Sequence, residues 1–258
     1  MKRLEGKVAL VTGSDSGIGQ AIAIAFANEG ADVIVCYHSD KEGGINTLAQ
    51  VQSHGRSGIA LQVDVSDERS VESLFEASLH EFKTIDILVN NAGVSGGNFG
   101  VAEMATKDFD RTIRTNLYGP FFFCRRFINH RRESGGKGKI INISSVHEEI
   151  MMPGYADYNA SKAGLRNLMR TLALEVAEEG INVNNICPGM ILTPMNQEAI
   201  DNKKIRDDMA QNIPMKRPGM PEEIARLAVF LASPDSDYVT GSSYVMDGGL
   251  MLNVGQGA

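Results

Sequence analysis

Two periodicities alternate along the chain. Short, largely apolar runs occupy residues 8–11, 32–36, 59–63, 85–89, 139–143, 181–186 and 243–246. Such runs suit strands buried on both faces of a sheet. Between them apolar residues return every three or four positions, the helical period, as with Ile18, Ile22, Ala25 and Phe26. Helices are predicted over 41–54, from Ser66 or Asp67 onward with acidic residues in the first turn, over 107–132, around Tyr158, and from Pro221. Residues 190–215 lack a clean apolar strand and hold several Met and Asn, so a substrate lid is expected there. Strand and helix alternating at this spacing predict an α/β fold: a single domain over 1–258, built on a doubly wound parallel sheet of about seven strands with helices on both faces.

The strand ends carry the chemistry. The first strand runs into Thr12-Gly13-Ser14-Asp15-Ser16-Gly17-Ile18-Gly19 and then a helix. Glycines there let backbone approach a pyrophosphate, and a helix N-terminus offers free N–H groups and a positive dipole end. The second strand ends in Tyr37-His38-Ser39-Asp40, where an adenosine ribose is expected. His38 and Ser39 suit a 2′-phosphate, whereas Asp15 opposes one if it points that way, so NAD and NADP both stay open. The fourth strand ends in Asn90-Asn91-Ala92-Gly93, the fifth in Ser144-Ser145 and the sixth in Cys187-Pro188-Gly189. In a parallel sheet all of these ends converge on one edge, where ligands bind.

Beyond Ser145 come Tyr158 and Lys162, four residues apart at the start of a helical pattern and therefore on one helix face. A free phenol has a pKa of about 10, too high to exchange protons efficiently near neutrality. A cation alongside is expected to lower it. Tyr155, followed four positions later by Asn159, lacks that partner. Ser145 is placed to hold an oxygen next to the phenol.

Composition narrows the partners. With 25 Lys and Arg against 32 Asp and Glu, the net charge of -7 argues against nucleic acid. The basic cluster Arg125, Arg126, Arg131 and Arg132 reads as a solvated helix C-terminus. Three widely spaced cysteines, without a Cys-x-x-Cys pair, read as buried reduced thiols in a reducing, cytoplasmic compartment. No 18-residue apolar run predicts a membrane span, and the five histidines have no metal-ligand spacing.

Thr12-Gly-x-x-x-Gly-x-Gly19, Asn90-Asn-Ala-Gly93, Asn116, Ser145, Tyr158-x-x-x-Lys162 and Pro188-Gly189 together resemble the short-chain dehydrogenase/reductase family, from Lys7 to about Gly249. The resemblance implies a Rossmann-type fold, a nicotinamide cofactor (NAD or NADP), a small alcohol or carbonyl substrate and a homotetramer whose interface uses the Asn116 and Tyr158 helices. It implies Tyr158 as acid/base, Lys162 lowering its pKa and holding the nicotinamide ribose, Ser145 orienting substrate and Asn116 holding a relay water. It places Asp64 and Val65 at adenine, and Ile191 and Thr193 near the carboxamide. Within the family, Ser144-Ser-Val-His-Glu148, Thr193-Pro-x-Asn196 and an Asp-Gly-Gly terminus with a later Gln resemble the bacterial glucose-oxidising branch. His147, Glu149 and Asn196 would then read sugar hydroxyls, unless His147 packs on the lid or caps backbone. Met151, Met152, Met190 and Met195 depart from a sugar-binding surface. A ketone or 3-oxoacyl reductase, and a cofactor sensor without chemistry, are the competing readings.

Overall fold

The computed structural model describes residues 2–253; Met1 and 254–258, with Gln256 of the tail, lie outside them. Seven strands form one parallel sheet in the order β3-β2-β1-β4-β5-β6-β7. They are β1 (Val8–Val11), β2 (Asp32–Tyr37), β3 (Gly58–Gln62), β4 (Ile87–Asn90), β5 (Gly138–Ile143), β6 (Ile181–Pro188) and β7 (Ser243–Met246). Strand order reverses between β1 and β4, which pair in register with Ala9 beside Ile87. A crevice therefore opens at their carboxyl ends.

Alternation along each strand divides the core in two. Ala9 and Val11 face the layer of α1 (Gly17–Asn28), α2 (Lys41–Ser53) and α9 (Pro221–Ala232), where Ile22, Phe26, Val51, Ile224 and Val229 are buried. Val8 and Leu10 face α3 (Glu68–Phe82), α5 (Gly119–Ser134) and α6 (Ala156–Val176), packed through Phe75, Phe123, Phe127 and Met169. Burial on both faces explains why the strands read as continuous apolar runs.

Three local readings are corrected. The helix expected over 107–132 is interrupted: α4 (Thr106–Ile113) passes through a π turn at Arg114–Tyr118 into α5. Such turns are rare and gather at functional sites. The fourth strand starts at Ile87, later than its apolar run, with Asp86 just before it: its carboxylate accepts from Val8 N at 3.0 Å and pairs with Arg131 at 3.2 Å. Arg131 is consequently buried rather than solvated, its Nη1 also donating to Thr84 Oγ1 and Ile85 O. Its neighbours behave as surface groups, with Arg125 bonded to Glu68, Arg126 to Glu72 and Arg132 to Glu179.

The crossover from β6 to α9 contains α7 (Gln197–Asp201) and α8 (Lys203–Ala210). Cys36, Cys124 and Cys187 are free and buried, the first and last in strands as expected. Among the described residues no helix is long and apolar enough to cross a membrane.

Candidate active site

The glycine turn after β1 is clamped from three sides. Ser14 Oγ donates to Val11 O and accepts from Cys36 N at 3.0 Å, tying the turn to β2. Thr12 Oγ1 accepts from Asn91 N and Ala92 N, and Asn91 Nδ2 donates to Thr12 O and Gly13 O, each at 2.8 Å. The ends of β1 and β4 are thereby held together. A Cβ at Gly19 would lie 2.3 Å from Gly13 O, and Gly13 takes φ +58°, so neither position admits a side chain.

The structure fits a dinucleotide at this turn. Ser16 caps α1 without a side-chain hydrogen bond, and the first turn of α1 holds no acidic residue. Its N–H groups are open to an anion, with Ile18 just inside the helix. A Cβ at Gly17 would touch Thr193 at 3.4 Å, so the crossover after β6 meets the turn. His38, Ser39 and Asp64 are exposed beyond β2 and β3, and Val65 is buried beside them. Asp15 does face this corner: its carboxyl pKa is raised by burial and by Asp40, with His38 opposing. Pro188 and Gly189 close β6, followed by buried Ile191.

Ser145, Tyr158 and Lys162 meet at the ends of β5 and β6. Ser145 follows β5 and accepts from His147 N at 3.2 Å, which points its hydroxyl toward α6. Tyr158 lies in the first turn of α6, with its phenol close enough to the Ser145 hydroxyl for that group to lower its pKa. Lys162 Nζ sits 5.5 Å from the Tyr158 ring centroid and donates to Ile143 O at 2.9 Å.

The phenol's electrostatics differ from the sequence-based expectation. Burial raises the Tyr158 pKa, and the Ser145 hydrogen bond only offsets part of that. Burial also drops Lys162 to about 8, opposed by Cys187 and Glu148. Burial pushes the Cys187 thiol far up, so it is neutral near pH 7 and Glu148 is the charge that supports the ammonium.

Glu148 is a group that the sequence reading passed over. It is buried, accepts from Ser144 Oγ at 2.6 Å and from Asn185 Nδ2 at 3.2 Å, and lies 3.5 Å from Arg166. Asn185 continues into Asn142 and Asn90, a side-chain ladder across three paired strands. Its position within Ser144-Ser-Val-His-Glu148 was the available signal.

Asn116 sits in the π turn: Oδ1 accepts from Val94 N, and Nδ2 donates to Val94 O and to Ser161 Oγ. Ser161 Oγ in turn donates to Tyr158 O. Its side chain thus joins the loop after β4 to the Tyr158 helix.

The groups expected to read sugar hydroxyls are committed locally. Asn196 accepts from Thr193 N and donates to Ile191 O. Glu149 pairs with Arg166. His147 Nδ1 bonds Ile150 O at 3.0 Å while its ring stands edge-on to Tyr158 at 5.9 Å.

Comparison with known proteins covers this whole arrangement. The profile described as "Enoyl-(Acyl carrier protein) reductase" matches residues 13–251. Glucose 1-dehydrogenase 2 of Bacillus subtilis is 41% identical over 97% of each chain. The 3beta-hydroxysteroid dehydrogenase 1 of Eggerthella lenta is 43% identical over 98% of this chain and 96% of its own. Among solved structures, acetoin dehydrogenase from Enterobacter cloacae superposes with TM-score 0.90 at 36% identity, covering 98% of both chains. A 7 alpha-hydroxysteroid dehydrogenase complexed with NADH superposes with TM-score 0.89 at 34% identity, covering 96% of this chain and 95% of that one. These matches run from the glycine turn through the Tyr158 helix to the last strand, and on that extent the chain belongs to the short-chain dehydrogenase/reductase family of NAD(P)-dependent oxidoreductases acting on alcohols and carbonyls.

Proposed function

We propose that the protein transfers hydride between a nicotinamide cofactor and the carbon of a secondary alcohol or its carbonyl, with Tyr158 moving the proton. The observation that carries this reading is the buried meeting of Ser145, the Tyr158 phenol and Lys162 at the sheet edge that also holds the open glycine turn. A bound nicotinamide supplies or takes the hydride.

The chain's own residues do the rest. In reduction Tyr158 donates its proton to the oxygen as charge develops there, and in oxidation its phenolate takes the hydroxyl proton. Ser145 holds that oxygen beside the phenol. Lys162 holds the nicotinamide ribose and contributes a positive charge behind the ring. Asn116 positions Tyr158 through Ser161. Gly13, Ser16, Gly17, Ile18 and Gly19 carry the pyrophosphate, Asp64 and Val65 the adenine. Asn91 to Gly93, Pro188, Gly189, Ile191 and Thr193 frame the nicotinamide half, and residues 190–215 cover the substrate. The cofactor is NAD rather than NADP, because Asp15 and Asp40 crowd the His38 corner where a 2′-phosphate would sit.

Likeness to the Bacillus subtilis enzyme favours a glucose substrate, and likeness to the hydroxysteroid and acetoin enzymes favours other alcohols and ketones. A 3-oxoacyl substrate is a further reading, although the family profile's description names a reductase of enoyl rather than 3-oxoacyl groups. The test is isotopic. Reduced cofactor carrying deuterium at C4 should deliver it to the carbinol carbon of the product, from NADH in preference to NADPH. Retention of all the label on the cofactor across a ketone and sugar panel would refute the reading.

A further inference from the structure

The Glu148 carboxylate is built into the sheet edge, yet hydride transfer as described gives it no part. Its side chain is 2% exposed, and two uncharged donors hold one of its oxygens: Ser144 Oγ at 2.6 Å and Asn185 Nδ2 at 3.2 Å. An ionised carboxylate only accepts, so Asn185 must turn its NH2 toward Glu148 and its oxygen away. The next two amides keep that direction: Asn142 Nδ2 donates to Asn185 Oδ1, and Asn90 Nδ2 donates to Asn142 Oδ1. Three aligned amides across β4, β5 and β6 end on one acceptor, and such a chain polarises toward an anion.

The guanidinium alongside is engaged elsewhere. Arg166 Nη2 pairs with Glu149, whose side chain is 41% exposed. Arg166 Nε stops 3.5 Å from Glu148 and has no hydrogen-bond partner among the described residues. A purely structural ion pair would bring the guanidinium fork onto both carboxylate oxygens.

Lys162 meets the same strand end. Its Nζ donates to Ile143 O at 2.9 Å, while Glu148 accepts from the hydroxyl of the next residue, Ser144. The two opposite charges therefore grip consecutive residues where β5 ends. The Glu148 N–H closes the same turn by donating to Ser145 O at 3.1 Å. Tyr158 and Cys187, which also face Lys162, are held neutral by burial. Water screens the partly exposed Glu149, whereas nothing screens Glu148.

From this we propose, resting on the hydride-transfer reading, that Glu148 is a positioning residue for the reaction: the buried anion that keeps the Lys162 ammonium charged beside Tyr158. Its effect on the rate passes through Lys162.

The experiment titrates Lys162 directly, by NMR of the full chain labelled at lysine Cε, its resonance assigned by loss in Lys162→Met. In the wild type it should titrate at about 8. Glu148→Gln keeps the shape and removes the charge, and should move that titration down by roughly half a unit or more. Arg166→Met removes the competing cation, leaves Glu148 in place and should move it up. The alkaline fall of kcat/KM for reduction, read with NADH and either diacetyl or cyclohexanone, should shift in the same directions. A Lys162 titration unchanged in Glu148→Gln overturns the inference, whatever the variant's Tm, and leaves Glu148 as a tie between Ser144 and Asn185. If Glu148→Gln does not fold, Arg166→Met decides, and an unchanged or lower titration there overturns it. Shifted titrations that the rate profile does not follow also overturn it, because the Lys162 charge then has no bearing on the rate. If neither ketone is reduced, the NMR arm decides alone. Opposite shifts in the two variants then sustain Glu148 as the counter-ion whatever becomes of the hydride-transfer reading, and absent shifts overturn it.

Discussion

At the scale of single residues, burial governs the site more than pairing does. The four-residue spacing of Tyr158 and Lys162 was readable from sequence, and the helix places both at the same strand end. The direction of the phenol's pKa was not readable, because it depends on how far the fold encloses the hydroxyl, and burial raises it. Lys162 then has a folded pKa of about 8, below its ordinary value of 10.5. Between those two pH values the unfolded chain binds more protons, so stability from this group rises with pH there. Below about 8 the full cost stands, about 3 kcal/mol at ~1.4 kcal/mol per unit. Lys162→Met removes that cost and gives up one charged hydrogen bond worth about 2 kcal/mol. The expected outcome, by calorimetric melting at pH 7, is a Tm raised by about 2–4 °C, alongside a loss of at least 100-fold in kcat/KM. A lowered Tm would show that the buried ammonium stabilises the fold. The same titration predicts a pH profile. For reduction, kcat/KM should be level through neutrality and fall as pH passes about 8, where the free enzyme loses the Lys162 proton. A profile level to pH 9.5 would remove Lys162 from the reaction.

At the scale of elements, what sequence showed well was period, and what it concealed was register and interruption. Buried strands announce themselves as apolar runs, so β1 and β2 were found nearly to the residue, as was the half-buried edge strand β7. The π turn at Arg114–Tyr118 was invisible, since one inserted residue leaves the apolar period of the surrounding helix almost unchanged. The Asn90–Asn142–Asn185 ladder was likewise hidden: each asparagine is an ordinary strand-end residue until pairing sets them side by side. The local bonds of Asn196 and Glu149 were hidden for a related reason, because nothing in the sequence told that Thr193, Ile191 and Arg166 would pair with them. Asn116 gives the sharpest test at this scale. Asn116→Ala leaves both polar groups of Val94 without their partner and releases Ser161, a cost of about 3 kcal/mol at one to two for each orphaned group. Urea unfolding should show that loss, and kcat should fall at least tenfold as the Tyr158 helix loses its tie. Wild-type stability would mean that the three hydrogen bonds do not act together.

At the scale of the whole molecule, the parallel sheet and the edge that gathers the site followed from βαβ alternation alone, without any contact information. Assembly is a different matter, since no partner chain informs it. The outer face of the π turn and α5 exposes Tyr118 at 47% and Phe121 at 39%, with Arg114 over the first ring and Arg125 over the second. Aromatic and arginine side chains together are the composition of interface centres. The tetramer implied by family resemblance is expected to bury this face. Sedimentation velocity of the wild type should give a tetramer, and Phe121→Glu should yield smaller species. A monomeric wild type would place the rings in solvent and the expectation would fail.

The central claim is that the Tyr158 hydroxyl moves the proton that accompanies hydride transfer. Its most direct test is Tyr158→Phe, which removes one oxygen from a half-buried side chain and leaves the glycine turn untouched. The predicted result is a fall in kcat/KM of at least 1,000-fold, about 4 kcal/mol of transition-state stabilisation, with the dissociation constant for NADH unchanged within threefold. Turnover within tenfold of wild type, with cofactor still bound, would contradict it.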